Sequence, residues 1–399
     1  MSFDIALSGI HAINAQLDDI SNNIANSGTY GFKSSRVNFG SMMAGSEATG
    51  AQVESTTQSI ATDGGVVTTG GAMDAAIQGR GFFVSRDTSG ATLYSRVGMF
   101  SVDKDGLVVD ANGRHAQGFA VTPGTTALGA MGDLSVPTGQ IPAQATSSLQ
   151  YVGNLSADWT APVVTPFDHT DPQTFNGSTV SVLYDSLGAQ HSMTQYFVRT
   201  GGSQVTVHYT LDGVDAAATT VLDFGVNGQL TAVNGATPAA TAIALGTPAG
   251  ASPLSVSMDY AGTTQFAGAA NTTTNRANGY ASGTFTGVSI AEDGSVMATY
   301  SNGQKQSVGT LAIATFPDEQ KLVAVSDTSW TTSNASGAPL YFAPGTGMAG
   351  RLTTGSLEQS NVDITSELVN LMTSQRNYQA NSKVISTESA MLQALMQAV

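Results

Sequence analysis

The sequence predicts a mainly β, elongated multidomain chain whose two ends are α-helices. Three observations predict it. Helical periodicity is confined to the ends, the long middle is broken into short β-branched and aromatic runs between Gly, Asn and Asp turns, and the charge content is far too low for an ordinary solvated surface.

The first helix is read from Phe3, Ala6, Ile10, Ile13, Leu17, Ile20 and Ile24, which alternate steps of three and four, the a/d spacing of a coiled-coil seam. Ser2 is a natural N-cap, and Asn26, Ser27 and Gly28 form a natural stop. At the far end Ile364, Leu368, Leu371, Gln375, Tyr378, Ser382, Ile385, Ser389, Leu392, Met396 and Val399 hold the same rhythm for about ten turns. Ser360, Asn361 and Asp363 can cap that helix. A second stripe, Val384, Met391, Leu395 and Ala398, lies on another face, so the tail carries more apolar surface than one partner covers. The two helices are expected to pair as a coiled-coil-like inner domain and to become ordered as copies of the chain assemble.

Between them Gly81 to Ser85, Val180 to Tyr184, Gln204 to Leu211 and Leu311 to Phe316 are the clearer strands. Ser101 to Val108 echoes Ser289 to Val296, each carrying an Asp-Gly hairpin turn. The echo predicts one middle β domain built from two segments, 72–146 and 279–344, with an outer β domain, 147–278, inserted between them. Residues 1–28 and 357–399 are then the helical inner domain. The Gly- and Ser-rich stretches 29–71 and 345–356 are expected to be linking segments.

Composition narrows the function. Charged residues are 11% of the 399, against roughly 25% in an average soluble protein. A surface so poor in charge suits a subunit packed against copies of itself. A net charge of -15 argues against a nucleic-acid or anionic-membrane surface, and no run approaches the 18 apolar residues of a membrane span. With no cysteine, neither disulfides nor thiolate metal sites are available. The first basic residue is Lys33, so the N-terminus lacks the charged start of a secretory signal, and export without a cleaved signal peptide is the expectation.

Catalytic signatures are missing, and no cofactor or metal is expected. His11, His115, His169, His191 and His208 have no metal-ligand spacing. The run from Asp103 to Gly106 begins like a calcium loop but places Arg114 where a bidentate Glu is required. Gly79-Arg80-Gly81 leads into Phe82 and Phe83, a strand and not a phosphate-binding helix.

The segment SNNIANSGTYGFK, Ser21 to Lys33, resembles the N-terminal signature of the flagellar rod and hook family, with Asn22, Asn23, Ala25, Asn26, Gly31, Phe32 and Lys33 at its signature positions. Further blocks agree: DAAIQGRGFFV from Asp74, YSRVGMFSVDKDGLVVDANGRHAQG from Tyr94, and, between Gly355 and Leu395, LEQSNVD, MLQAL and QRNYQANSKVI, the last with Gln375, Arg376, Tyr378, Gln379 and Asn381. Gly279 to Phe316 is similar to the hook members' return into their β domain, whereas rod members are shorter and lack so large an insert. The resemblance implies a helical homopolymer with an inner tube of paired termini, extracellular, in the hook and basal body. It implies export by the type III apparatus and end contacts with the distal rod, hook cap and hook-filament junction proteins. A distal rod component, and a secreted cell-wall-active enzyme or adhesin, are the competing readings.

Overall fold

The computed structural model describes residues 2–44, 47–121 and 128–398, and is mainly β with one helix at each end. Val399, the last position of the expected C-terminal seam, lies outside the described residues. The chain divides into two compact units, the first formed by 1–138, 286–299 and 305–399, the second by 139–285 with 300–304.

The first unit begins with α1 (Ser2–Ala25) and ends with α2 (Ile364–Ala398). Asp363 caps α2, its Oδ1 accepting from the Thr365 N–H at 2.9 Å and its Oδ2 from the Ser366 hydroxyl at 2.8 Å. After α1 comes a long antiparallel hairpin, β1 (Ser35–Ala44) with β2 (Glu47–Gln58), carrying bulges at Asn38/Phe39 and Met42/Met43. This corrects the expectation of a linker over 29–71. Its Gly, Ser and Thr residues read as flexible, but two strands that pair along their length satisfy each other's backbone and need few apolar side chains. The stretch 345–356 is likewise no linker, since Arg351–Thr354 pairs with Ala75–Gln78, and Ser356 opens a strand paired with Val66–Thr68.

The β body of this unit is built around the large sheet that holds Phe82–Arg86, Thr92–Ser95, His115–Val121 and Lys305–Leu311. Its core gathers Phe82, Val84, Tyr94, Phe316, Trp330 and Ile60. The expected strand over 311–316 is broken at Ala312. Leu311 ends a strand that pairs with 115–121, and Ile313–Thr315 pairs with Phe82 and Phe83 on one side and Leu340–Phe342 on the other. The two echoing turns form as the sequence suggests. Asp103 Oδ1 accepts from the N–H groups of Asp105 and Leu107, Asp293 Oδ1 from that of Ser295, and Gly106 and Gly294 both sit at φ 80°.

The second unit contains a five-stranded meander, Gly177–Tyr184, Gln190–Gly201, Gln204–Leu211, Val214–Phe224 and Leu230–Val233, and a four-stranded sheet. In the latter Ser148–Asn154 lies between Leu254–Asp259, parallel to it, and Asn271–Ala277, antiparallel to it. Side chains alternate inward and outward, so Val205, Val207 and Tyr209 from one sheet meet Leu149, Tyr151, Val256 and Met258 from the other in a single core. A chain of buried hydroxyl bonds threads it. Tyr209 bonds Thr220 at 2.7 Å and Tyr260 at 2.8 Å, and Tyr260 donates to Gln195 at 2.7 Å. Burial pushes the Tyr209 phenol up to about 12, so the network stays protonated. The unit starts before the expected boundary at 147 and ends after 278, because the two crossing segments stay paired through Ile141 with Gly283 and Gln144 with Tyr280.

Candidate assembly surface

The two end helices pack side by side and antiparallel. Asn23 Nδ2 of α1 donates to Glu367 Oε1 of α2 at 3.0 Å, and Gly9, fourteen residues earlier, lies where a Cβ would meet Asn381 Nδ2 at 3.2 Å. Residue numbers that fall on one helix as they rise on the other require opposite directions.

On α1 the expected seam divides into two rows. Ala6, Ile13 and Ile20 are buried, as is Asn23, while Ile10, Leu17 and Ile24 are half-buried and Phe3 is exposed. On α2 the shielded positions are Glu367, Leu371, Ser374, Asn381, Ile385 and Glu388. With Tyr378, which shares a shallow groove with Gln375, Gln379, Asn14 and Leu17, they alternate steps of four and three. The expected C-terminal seam is thus only partly assembled within one chain. Leu371, Tyr378 and Ile385 run along α1, but Ile364, Leu368, Leu392 and Met396 are exposed, Leu392 at 57% and Met396 at 77%. Ile364 and Leu368 lie level with the C-terminal end of α1 but off the shielded row that runs through Glu367 and Leu371, whereas for Leu392 and Met396 the reason is length. α1 has 24 residues and α2 has 35, so in antiparallel register α1 ends before the last turns of α2. Val369, Met372, Val384, Met391 and Leu395 are exposed as well, leaving α2 with far more open apolar surface than its partner helix covers.

The N-terminal signature residues tie α1 to the rest of its unit. Asn22 Oδ1 accepts from Asn26 Nδ2 at 2.9 Å, and Asn26 Oδ1 from the Thr29 hydroxyl at 3.1 Å, which shapes the turn after Ala25. Asn23 clasps Ser35, donating to its carbonyl at 2.8 Å and accepting from its N–H at 3.0 Å. Gly31 stands at φ 68° with a Cβ's place only 3.0 Å from Val97 N, so both backbone and space demand glycine. The Phe32 carbonyl receives the Asn361 N–H at 3.3 Å. Lys33, fully buried, donates to Glu358 Oε1 at 2.6 Å and to the Thr62 carbonyl at 2.7 Å. Burial draws its ammonium below the ordinary lysine value, and Glu358 opposes that shift. In the C-terminal signature Gln375, Arg376 and Gln379 are exposed on α2, and Asn381 faces Gly9.

Sequence reasoning missed the partners in this knot. Glu358, also fully buried, bonds Arg96 at 3.3 Å, and Arg96 reaches Asp63 at 3.4 Å. Asn361 takes the Ser34 N–H at 2.7 Å and donates to the carbonyls of Ser59 and Thr62. Three of these residues stand in the quoted blocks, Arg96 in YSRVG and Glu358 and Asn361 in LEQSNVD, which is the signal that could have found them. Among the described residues no group of three or more His, Asp or Glu side chains could hold a metal ion, and no helix is long and apolar enough to cross a membrane.

The site is thus a β-rich body bearing a pair of end helices locked to it by both termini, with apolar helix surface left open, the arrangement of a structural subunit and not of a catalytic cleft. Three family profiles match: the flagellar hook protein FlgE/F/G D1 domain over 76–155, the flagellar basal body protein FlaE D2 domain over 154–280, and the flagellar basal body rod FlgEFG protein C-terminal over 353–398. The flagellar hook protein FlgE of Escherichia coli K12 is 38% identical over 405 residues, covering 99% of each chain. That of Salmonella typhimurium LT2 is 38% identical over 407 residues with the same coverage, and that of Brucella suis 30% over 401, covering 97% of each. The crystal structure of Helicobacter pylori flagellar hook protein FlgE2 aligns with a TM-score of 0.52 at 13% identity, covering 73% of this chain and 99% of that one, a likeness of fold. The chain belongs to the flagellar hook protein FlgE family; it is a structural protein of the flagellum and not an enzyme.

Proposed function

We propose that this chain polymerises into the tube of the flagellar hook, with its paired end helices lining the tube as a coiled-coil-like layer and its β units outside, and that the tube is the flexible joint carrying torque from rod to filament. The observation that carries the reading is the open apolar surface of α2, where Ile364, Leu368, Met372, Met391, Leu392 and Met396 are exposed in the single chain. A second and third copy of the same helices supply the missing cover, and a surface with few charges lets neighbours slide without breaking directional ion pairs. The distal rod, hook cap and hook-filament junction proteins are its end partners. The type III apparatus exports it to the cell exterior.

The test is electron microscopy of basal structures sheared from cells, decorated with antibody against this chain. Label along the curved tube between rod and filament supports the reading. Label confined to the rod assigns the chain to a distal rod role.

A further inference from the structure

We propose that the buried charge knot imposes an order on the docking of the two chain ends, the C-terminal strand Ser356–Glu358 seating on the β body before the N-terminal segment that carries Lys33.

The asymmetry lies in where the charges come from. Arg96 belongs to the β body, 1% exposed and held there by the carbonyls of Ile77 at 3.3 Å and Gly79 at 2.7 Å. Glu358 arrives with the C-terminal strand and forms with Arg96 a buried pair of zero net charge. Lys33 arrives with the N-terminal side, accompanied by Asp63, which stays 42% exposed on its contact with Arg96. If the N-terminal side seats first, two buried cations share only that half-solvated carboxylate, and Lys33 keeps one carbonyl. If the C-terminal strand seats first, nothing buried is unpaired. A buried charge without its partner is among the most destabilising features a fold can hold, so the second order is preferred.

The neighbouring contacts show what the late step completes. Ile60, on the N-terminal side, is 1% exposed in the aromatic core, and Gln58 accepts the Trp330 indole N–H at 2.7 Å. Both groups stay open until that segment seats. The C-terminal strand pairs its backbone with Val66–Thr68, and Glu358 Oε1 takes the Gly64 N–H at 2.9 Å, so 64–68 seats with that strand, the late segment ends at Asp63, and neither contact needs Lys33 or Ile60.

Amide hydrogen exchange of the full-length chain, resolved by peptide, tests the order. In the wild type, amides of 356–359 are expected to exchange about tenfold or more slowly than those of 58–63. Lys33→Met leaves 356–359 within about threefold of the wild type, because the Arg96–Glu358 pair survives. Glu358→Gln speeds exchange at 356–359 by about tenfold or more, because it strips the strand of its partner for Arg96. Equal or greater protection of 58–63 in the wild type overturns the proposal, as does a Lys33→Met variant that loosens 356–359 as much as Glu358→Gln does. Should Glu358→Gln fail to fold, the wild-type ranking and the Lys33→Met result still decide.

Discussion

Leu392 on the last turns of α2 offers a direct measure of what assembly gains. It is 57% exposed, beyond the reach of α1, so the single chain draws little from it. Fully burying a leucine side chain contributes about 1.5 to 3 kcal/mol, and the share still exposed here leaves about 0.6 to 1.4 kcal/mol for Leu392→Ala to remove from a subunit contact, since alanine keeps the Cβ. That raises the critical concentration for tube formation by roughly three- to tenfold. Purified chains seeded with sheared hook fragments, pelleted over a concentration series, give the number, and a thermal melt of the unassembled chain gives the control. The variant should melt with the wild type and assemble late. A melting temperature lowered by several degrees would place Leu392 in the chain's own core, and a critical concentration unchanged within twofold would leave this end of α2 facing solvent in the tube. Either result would falsify the surface assignment.

Three further outcomes are expected. Ser147 N–H bonds Asn278 Oδ1 at 2.9 Å, so the ends of the proposed 147–278 insert are adjacent; replacing it with a short Gly/Ser linker should leave tubes that form but differ in curvature under the electron microscope, and loss of all tubes would refute the domain plan. Tyr260→Phe removes the hydroxyl that joins Tyr209 to Gln195 and leaves buried polar atoms unpaired, a loss of about 1 to 3 kcal/mol that should lower the second unit's melting temperature by roughly 3 to 10 °C. His191 Nδ1 lies 2.6 Å from Asp212 Oδ2, and that bond raises its pKa above the ordinary histidine value, aided by Asp185 at 3.3 Å. A raised folded pKa means the stabilisation is complete below the unfolded value of about 6.5 and is lost as pH climbs through the folded value. The second unit should therefore melt lower at pH 8 than at pH 6 through this group, and His191→Gln should flatten that part of the profile.

Much of the plan was legible in the chain itself. The spacing from Phe3 to Ile24 placed the first helix, because a helix repeats its faces at a fixed interval whatever it packs against, but which half of that spacing is buried, Ala6, Ile13 and Ile20, was visible only in the structure. The Asp-Gly pairs at Asp105 and Asp293 placed their turns, because few residues tolerate φ 80°. Low charge and missing catalytic signatures pointed to assembly and away from chemistry. The resemblance of Asn22 to Lys33 reached the family before any coordinates were needed.

What the sequence alone did not decide was which apolar residues meet within the chain and which wait for another. Leu371 and Leu392 occupy equivalent steps of one periodic row, yet one lies along α1 and the other is open, because the antiparallel register and the shorter length of α1 are properties of the pair. The hairpin Ser35–Gln58 escaped notice for a similar reason, its stability residing in pairing between strands that each read as flexible. Lys33, Arg96 and Glu358 stand in three separate blocks of sequence, each unremarkable as a lone charge. Only the folded chain brings them within hydrogen-bond reach in a place without water, and a buried charge can exist there only because its partners arrive from both ends of the chain.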